Sequence, residues 1–166
     1  MSDLPLAQTR LEAGHQRHTT DRLSLSYDDR FLRRKVLVTQ SGQSLLVDLP
    51  STTSLDHGDA LELADGRLIA IEAAPEALLE ITAPDLTRIA WHVGNRHTPC
   101  QIEAGRLLIQ PDKVIADMLT LLGAATRPVQ EPFTPEGGAY GHGRTHSHDH
   151  GHTHVHVDQT KDASAS

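Results

Sequence analysis

The sequence contains one cysteine, Cys100, in 166 residues. A lone thiol excludes an internal disulfide and fits a reducing compartment, so the chain is expected in the cytoplasm. Aromatic residues are scarce, at 3%, in an otherwise ordinary globular composition. No apolar run approaches the ~20 residues a membrane span needs, so no membrane association is expected. The N-terminal "MSDLPLAQTRLEAGHQRH" has no basic-then-apolar signal-peptide layout. Positive charge is in deficit: 15 Lys and Arg stand against 22 Asp and Glu, for a formal charge of −7. That balance argues against a nucleic-acid partner held by bulk electrostatics. The chain has no G-x-x-x-x-G-K-[ST] loop, no H-E-x-x-H and no G-x-S-x-G elbow, and its carboxylates are scattered. No enzyme activity is therefore expected.

What is present divides into four stretches. Residues 1–20 are polar and patternless and read as a flexible leader. From 21 to 74 short alternating or β-branched runs, "RLSLSY", "RKVLVTQ" and "SLLVDLP", are broken by turn signals. Asp65-Gly66 lies between apolar alternations, as in a hairpin. This segment reads as a small all-β domain. From Pro75 to about 140 the pattern is strand, helix, hairpin, helix, strand. Leu86, Ile89, Ala90 and Val93 keep helical spacing between a candidate N-cap, Asp85, and a candidate C-cap, Gly94. Val114, Ile115, Met118, Leu119 and Leu122 form a second stripe between Asp112 and Gly123. A hairpin turning near Ala104-Gly105 separates the helices, and "TRPVQEPF" (126–133) reads as a last edge strand. The order β-α-β-β-α-β predicts a ferredoxin-like domain, so the fold class is α+β. Residues 141–166 cannot build a core and are expected to be disordered without a ligand.

That last stretch carries "HSHDHGHTHVH" (146–156). His142, His146, His148, His150, His152, His154 and His156 give seven imidazoles within fifteen residues. Neutral imidazole suits Ni, Cu, Zn and Co, and any two or three of these can converge on one ion. About fifteen flexible residues span roughly 20 Å, enough for the tail to close over a site on the folded body. A purification tag, a pH-responsive tail and plain low complexity are the bland readings. The interleaved Ser, Asp, Gly, Thr and Val are unlike a tag.

Inside the fold, "WHVGNRHTPC" (91–100) places His97 just past a helix end and before a proline. One histidine is a poor metal site, but a two-fold axis would supply two. A surface or hydrogen-bonding histidine is the plainer reading from spacing alone. His92 lies five residues earlier, so on another helix face. Cys100 completes an His-x-x-Cys spacing but reads first as a small packing residue at a strand start. His15, His18 and His57 are isolated and receive no role.

Taken together, "FLRRKVLV" (31–38), "GDALELADGRLIAIEAAPEALLEI" (58–81), "WHVGNRHTP" (91–99), "DMLTLLG" (117–123), "PFTPEGGAY" (132–140) and the histidine tail resemble the UreE family of urease accessory proteins. The resemblance covers about 21–156 in the right order. It implies an N-terminal β domain of peptide-binding type and a ferredoxin-like metal-binding domain that forms a homodimer through residues 75–140. It implies Ni(II) as cargo for urease assembly, with the urease assembly GTPase as recipient and the urease apoprotein beyond it. The family's dimer-interface ligand falls on His97. Some relatives carry further histidines where this chain has "LLIQPDKV" (107–114), so an auxiliary site there is not expected.

The expectation is a nickel metallochaperone in which two His97 side chains hold the ion and tail histidines complete its sphere; Zn(II) or Cu(II) can also bind such donors in vitro. Few, exchangeable ligands suit a carrier, whereas a closed four-ligand cage suits a structural site. Ligating imidazole must be neutral, so binding weakens as pH falls through about 6.5. Two alternatives use the same residues: a metal buffer without a dedicated recipient, and a peptide-binding co-chaperone using a basic patch of Arg30, Arg33, Arg34 and Lys35.

Overall fold

The computed structural model describes residues 3–14, 18–138 and 144. Among these residues ten strands form two sheets, and two helices belong to the second unit.

The first sheet has six strands: β1 (Leu6–Leu11), β2 (Asp21–Leu25), β3 (Phe31–Val38), β4 (Ser44–Ser54), β5 (Ala60–Leu63) and β6 (Leu68–Ala73). Their order is β2-β6-β5-β1-β4-β3. β1 runs parallel to β4, and β2 parallel to β6; the remaining pairs are antiparallel. The sheet curls around a core of Leu23, Leu45, Val47, Leu61, Leu63, Ile69 and Ile71. Along β5 and the first half of β4, residues 44–49, every second residue is buried, the period-2 signature of a one-faced sheet. Asp65-Gly66 makes the β5–β6 turn with Gly66 at φ +90°, as the dipeptide predicts.

One expectation fails here. Residues 6–11 were read as part of a leader, yet they form a central strand. Ala7 is fully buried, and β1 pairs with both β4 and β5. An ion pair between half-buried Arg10 and buried Asp59 secures it. Asp59 accepts from Arg10 Nε at 2.9 Å, from the Ala13 amide at 3.1 Å and from the Asp56 amide at 2.9 Å. The N-terminal sheet thus begins at residue 6 rather than 21.

A single residue, Ala74, separates β6 from β7 (Pro75–Thr82). The second unit continues with α1 (Leu86–Asn95), β8 (Cys100–Ile102), β9 (Leu107–Ile109), α2 (Lys113–Leu121) and β10 (Ala125–Pro132). The sheet order is β10-β7-β9-β8, all antiparallel. This is the ferredoxin-like arrangement expected from the element order. Asp85 and Asp112 cap the helices by accepting from the Arg88 and Ile115 amides. Ile89 and Val93 of α1 and Ile115 and Leu119 of α2 pack on Ile81, Leu107 and Ile109. Val114, expected in the α2 stripe, is exposed instead.

The other side of the second sheet meets the first unit. Leu78, Leu108, Phe133 and Tyr27 form a small joint core. Arg30 staples it: Nε donates to the Leu55 carbonyl (3.1 Å), and its terminal nitrogens donate to the carbonyls of Leu25 (3.0 Å) and Phe133 (2.6 Å). Arg30 is only 3% exposed. It is therefore no part of a basic surface patch; Arg33, Arg34 and Lys35 on β3 are exposed.

Candidate metal-binding site

His97 stands one residue beyond the C-cap of α1. Pro99 disfavours a helical Thr98, so the chain must reverse there. It does so with His97 at φ +56°, the only positive-φ residue other than glycine among those described. The His97 amide donates to the Gly94 carbonyl at 3.0 Å, the inner bond of a Schellman-type helix close. His97 is exposed. Its backbone is thus held at a defined point on the surface, in a conformation that costs a β-carbon residue about 1 kcal/mol.

Among the described residues no three His, Cys, Asp or Glu side chains gather as a ready metal cage. His92, half-buried on α1, sets its ring edge-on against Trp91, with centroids 5.0 Å apart and planes at 89°. Trp91 itself is 64% exposed.

Cys100 belongs to the packing. Its side chain lies against the helix-side core, and Sγ is 3.9 Å from the Gln101 carbonyl. Burial, with a smaller contribution from Glu136, pushes its pKa up to about 11. A thiol must deprotonate to ligate, so this environment disfavours Cys100 as a partner of His97. His57 is also accounted for: its Nδ1 accepts from the Ala73 amide at 3.1 Å, which leaves the proton of the neutral ring on Nε2. His18 is exposed. His15 and the tail histidines His142, His146, His148, His150, His152, His154 and His156 lie outside the described residues.

Two features escaped the sequence reading. Arg30 was hidden in a basic run. Arg144, set between tail histidines, contacts the N-terminal sheet. For Arg30 the available signal was its place directly after the turn "YDD", where a side chain can point back under the strand it begins.

Residues 6–74 match the family model described as UreE urease accessory protein, N-terminal domain, and residues 76–156 match that for the UreE C-terminal domain. The second match runs through His156. The chain is 65% identical over 143 residues to the urease accessory protein UreE of Ruegeria pomeroyi, covering 86% of this chain and 96% of the relative. The same named protein of Ruegeria sp. strain TM1040 is 65% identical over 79% of this chain and 74% of its own length. That of Cereibacter sphaeroides is 56% identical over 87% and 80%. With both family models matched across its two sheets, the chain belongs to the UreE family of urease accessory proteins.

Proposed function

We propose that this chain is a cytoplasmic nickel metallochaperone that carries Ni(II) to the urease assembly machinery. The observation that carries the reading is His97: an exposed imidazole on a left-handed turn, within the stretch that matches the UreE C-terminal domain model. Two copies related by a two-fold axis would supply two imidazoles and leave coordination positions open. Tail imidazoles then enter and leave stepwise, so the ion passes to a recipient by ligand exchange rather than as a bare ion. An open, borderline-hard N-donor site fits Ni(II) cargo. The recipient is the urease assembly GTPase, with the urease apoprotein downstream. The reading includes no catalytic step by this chain.

The test is a calorimetric titration of Ni(II) into the full chain, a form ending at Tyr140 and the His97→Ala variant, with molecular mass measured in parallel. One tight ion per dimer should survive tail removal and vanish in His97→Ala. If all binding leaves with the tail and His97→Ala titrates like the parent, the chain is a buffer rather than a carrier. A second reading, capture of an acidic extended peptide, is favoured by the outer position of β3 in its sheet and its exposed Arg33, Arg34 and Lys35. Reversing all three charges should abolish partner binding under this reading and leave it unchanged under the first.

A further inference from the structure

A cavity of about 390 Å³ opens where the two units meet, bordered by Tyr27, Arg30, Ser54, His57, Glu136 and Arg144. Its walls are held by other contacts. The Tyr27 ring packs edge-on against Phe133, 5.2 Å between centroids, and the Tyr27 amide donates to Glu76 Oε2 at 2.8 Å. Arg30 beneath it is already committed to three carbonyls. The Arg144 guanidinium lies over the Tyr27 ring, 3.6 Å from its centroid, and 4.8 Å from that of Phe31. Its Nε donates to Ser54 Oγ at 3.0 Å, and a terminal nitrogen donates to the Tyr27 carbonyl. Asp28, Asp56 and Glu76 add negative potential around it.

We propose that the Tyr27 ring face, with Ser54 and the Tyr27 carbonyl at the edge of this cavity, is an arginine-binding seat that the chain occupies with its own Arg144. The fit is to a guanidinium rather than to any cation. A planar fork can stack on one aromatic face while its edge donates in two directions, which an ammonium cannot do. Tyr27 is held from behind by contacts that do not involve Arg144, the Phe133 ring and the Glu76 carboxylate.

The consequence concerns where the histidine tail begins, and it rests on the tail handling the cargo as proposed above. Downstream of β10 the chain is pinned to β8: the Thr134 amide donates to Gln101 Oε1 at 2.8 Å, and the Glu136 amide to the Cys100 carbonyl at 2.9 Å. Cys100 is three residues from His97. Arg144 then fixes a second point, on the N-terminal sheet, two residues before His146. Even fully extended, the twelve residues from Arg144 to His156 reach at most ~40 Å. With Arg144 seated, the tail imidazoles are confined to that radius of the domain junction; with it released, the last described fixed point is the 134–136 segment, and the radius grows.

Trypsin reads the seat directly, because it must take the Arg144 guanidinium into its own pocket to cut before Thr145. The metal-free full chain and a free peptide of residues 138–150 are digested together, and cleavage at Arg144 is followed by mass spectrometry. The chain should be cut at least tenfold more slowly than the peptide. Ser54→Ala and Phe31→Leu should each raise its rate threefold or more, with unchanged circular dichroism. Equal rates for chain and peptide, or slow cleavage that neither substitution alters, would overturn the proposal. The assay contains no nickel, so its outcome is independent of the calorimetric test.

Discussion

Both helices of the second unit end on the same backbone device, with different residues at its left-handed position. After α2 that position is Gly123, at φ +79°, and both bonds of the Schellman close are made: Gly123 to the Thr120 carbonyl and Ala124 to that of Leu119. After α1 it is His97, at φ +56°. Glycine is the low-cost occupant of this conformation, so a histidine there is retained at an energetic cost. His97→Gly relieves that strain while deleting the imidazole. Urea unfolding of the metal-free variant should show stability raised by about 0.5–1 kcal/mol, together with loss of the tight nickel site. A variant that loses stability would mean that the His97 side chain holds the turn together, and that its ligand role needs other evidence. Cys100 makes a second residue-scale case. With its pKa near 11, its reactive thiolate is about 0.1% of the population at pH 8. Alkylation by iodoacetamide should be far slower than for a free thiol and should accelerate as pH rises towards 11. Fast labelling at pH 8 would place the sulfur in a more polar setting than its packing against α1 and α2 implies.

At the scale of elements, legibility followed the range of the determining contacts. α1 and α2 could be read because a helix is specified locally: Ile89 and Val93, Ile115 and Leu119 fall on the core at helical spacing, and Asp85 and Asp112 cap from the adjacent turn. The turns at Asp65-Gly66 and Ala104-Gly105 were likewise written in neighbouring residues. β1 was not. Its sequence, LAQTRL, buries only Ala7 completely, and it becomes a strand because β4 and β5, whose paired residues lie forty or more positions further along the chain, flank it. His97 stood out by its motif, but its left-handed backbone did not, because that depends on how α1 meets the chain reversal before Pro99. Arg30 was misassigned for a related reason: charge in a sequence suggests solvent, and only the joint between the sheets supplies three carbonyls facing one guanidinium. Replacing it with methionine keeps the apolar stem but leaves those carbonyls unmet. The Arg30→Met chain should lose about 3 kcal/mol of stability, and hydrogen exchange should rise first around Leu25, Leu55 and Phe133. Exchange unchanged at these three sites would show the two units to be joined mainly by the Tyr27, Leu78, Leu108 and Phe133 core.

At the scale of the whole molecule, the proposed carrier role requires a second copy of the chain to bring its His97 to the same ion. The outer sides of the two helices leave unusual apolar surface uncovered: Trp91 is 64% exposed on α1, and Val114 and Leu121, seven residues apart and so on one stripe of α2, are 62% and 89% exposed. Large exposed apolar side chains suit a contact surface, and under the proposed function a second copy of this chain would cover them through a two-fold contact that includes α1. Trp91→Glu separates the parts of this reading. Trp91 is not among the residues forming the helix-side core, so the variant should fold with unchanged circular dichroism. It should nevertheless elute at the mass of a single chain where the parent elutes at twice that mass, because a carboxylate buried in the contact has no partner there. With His97 intact but no longer paired, the tight nickel site should be lost and only tail binding should remain. A Trp91→Glu chain that stays dimeric would remove α1 from the contact. One that is monomeric yet still binds a tight ion per chain would show that His97 does not need its symmetry mate, and that the ion's other ligands come from within the same chain.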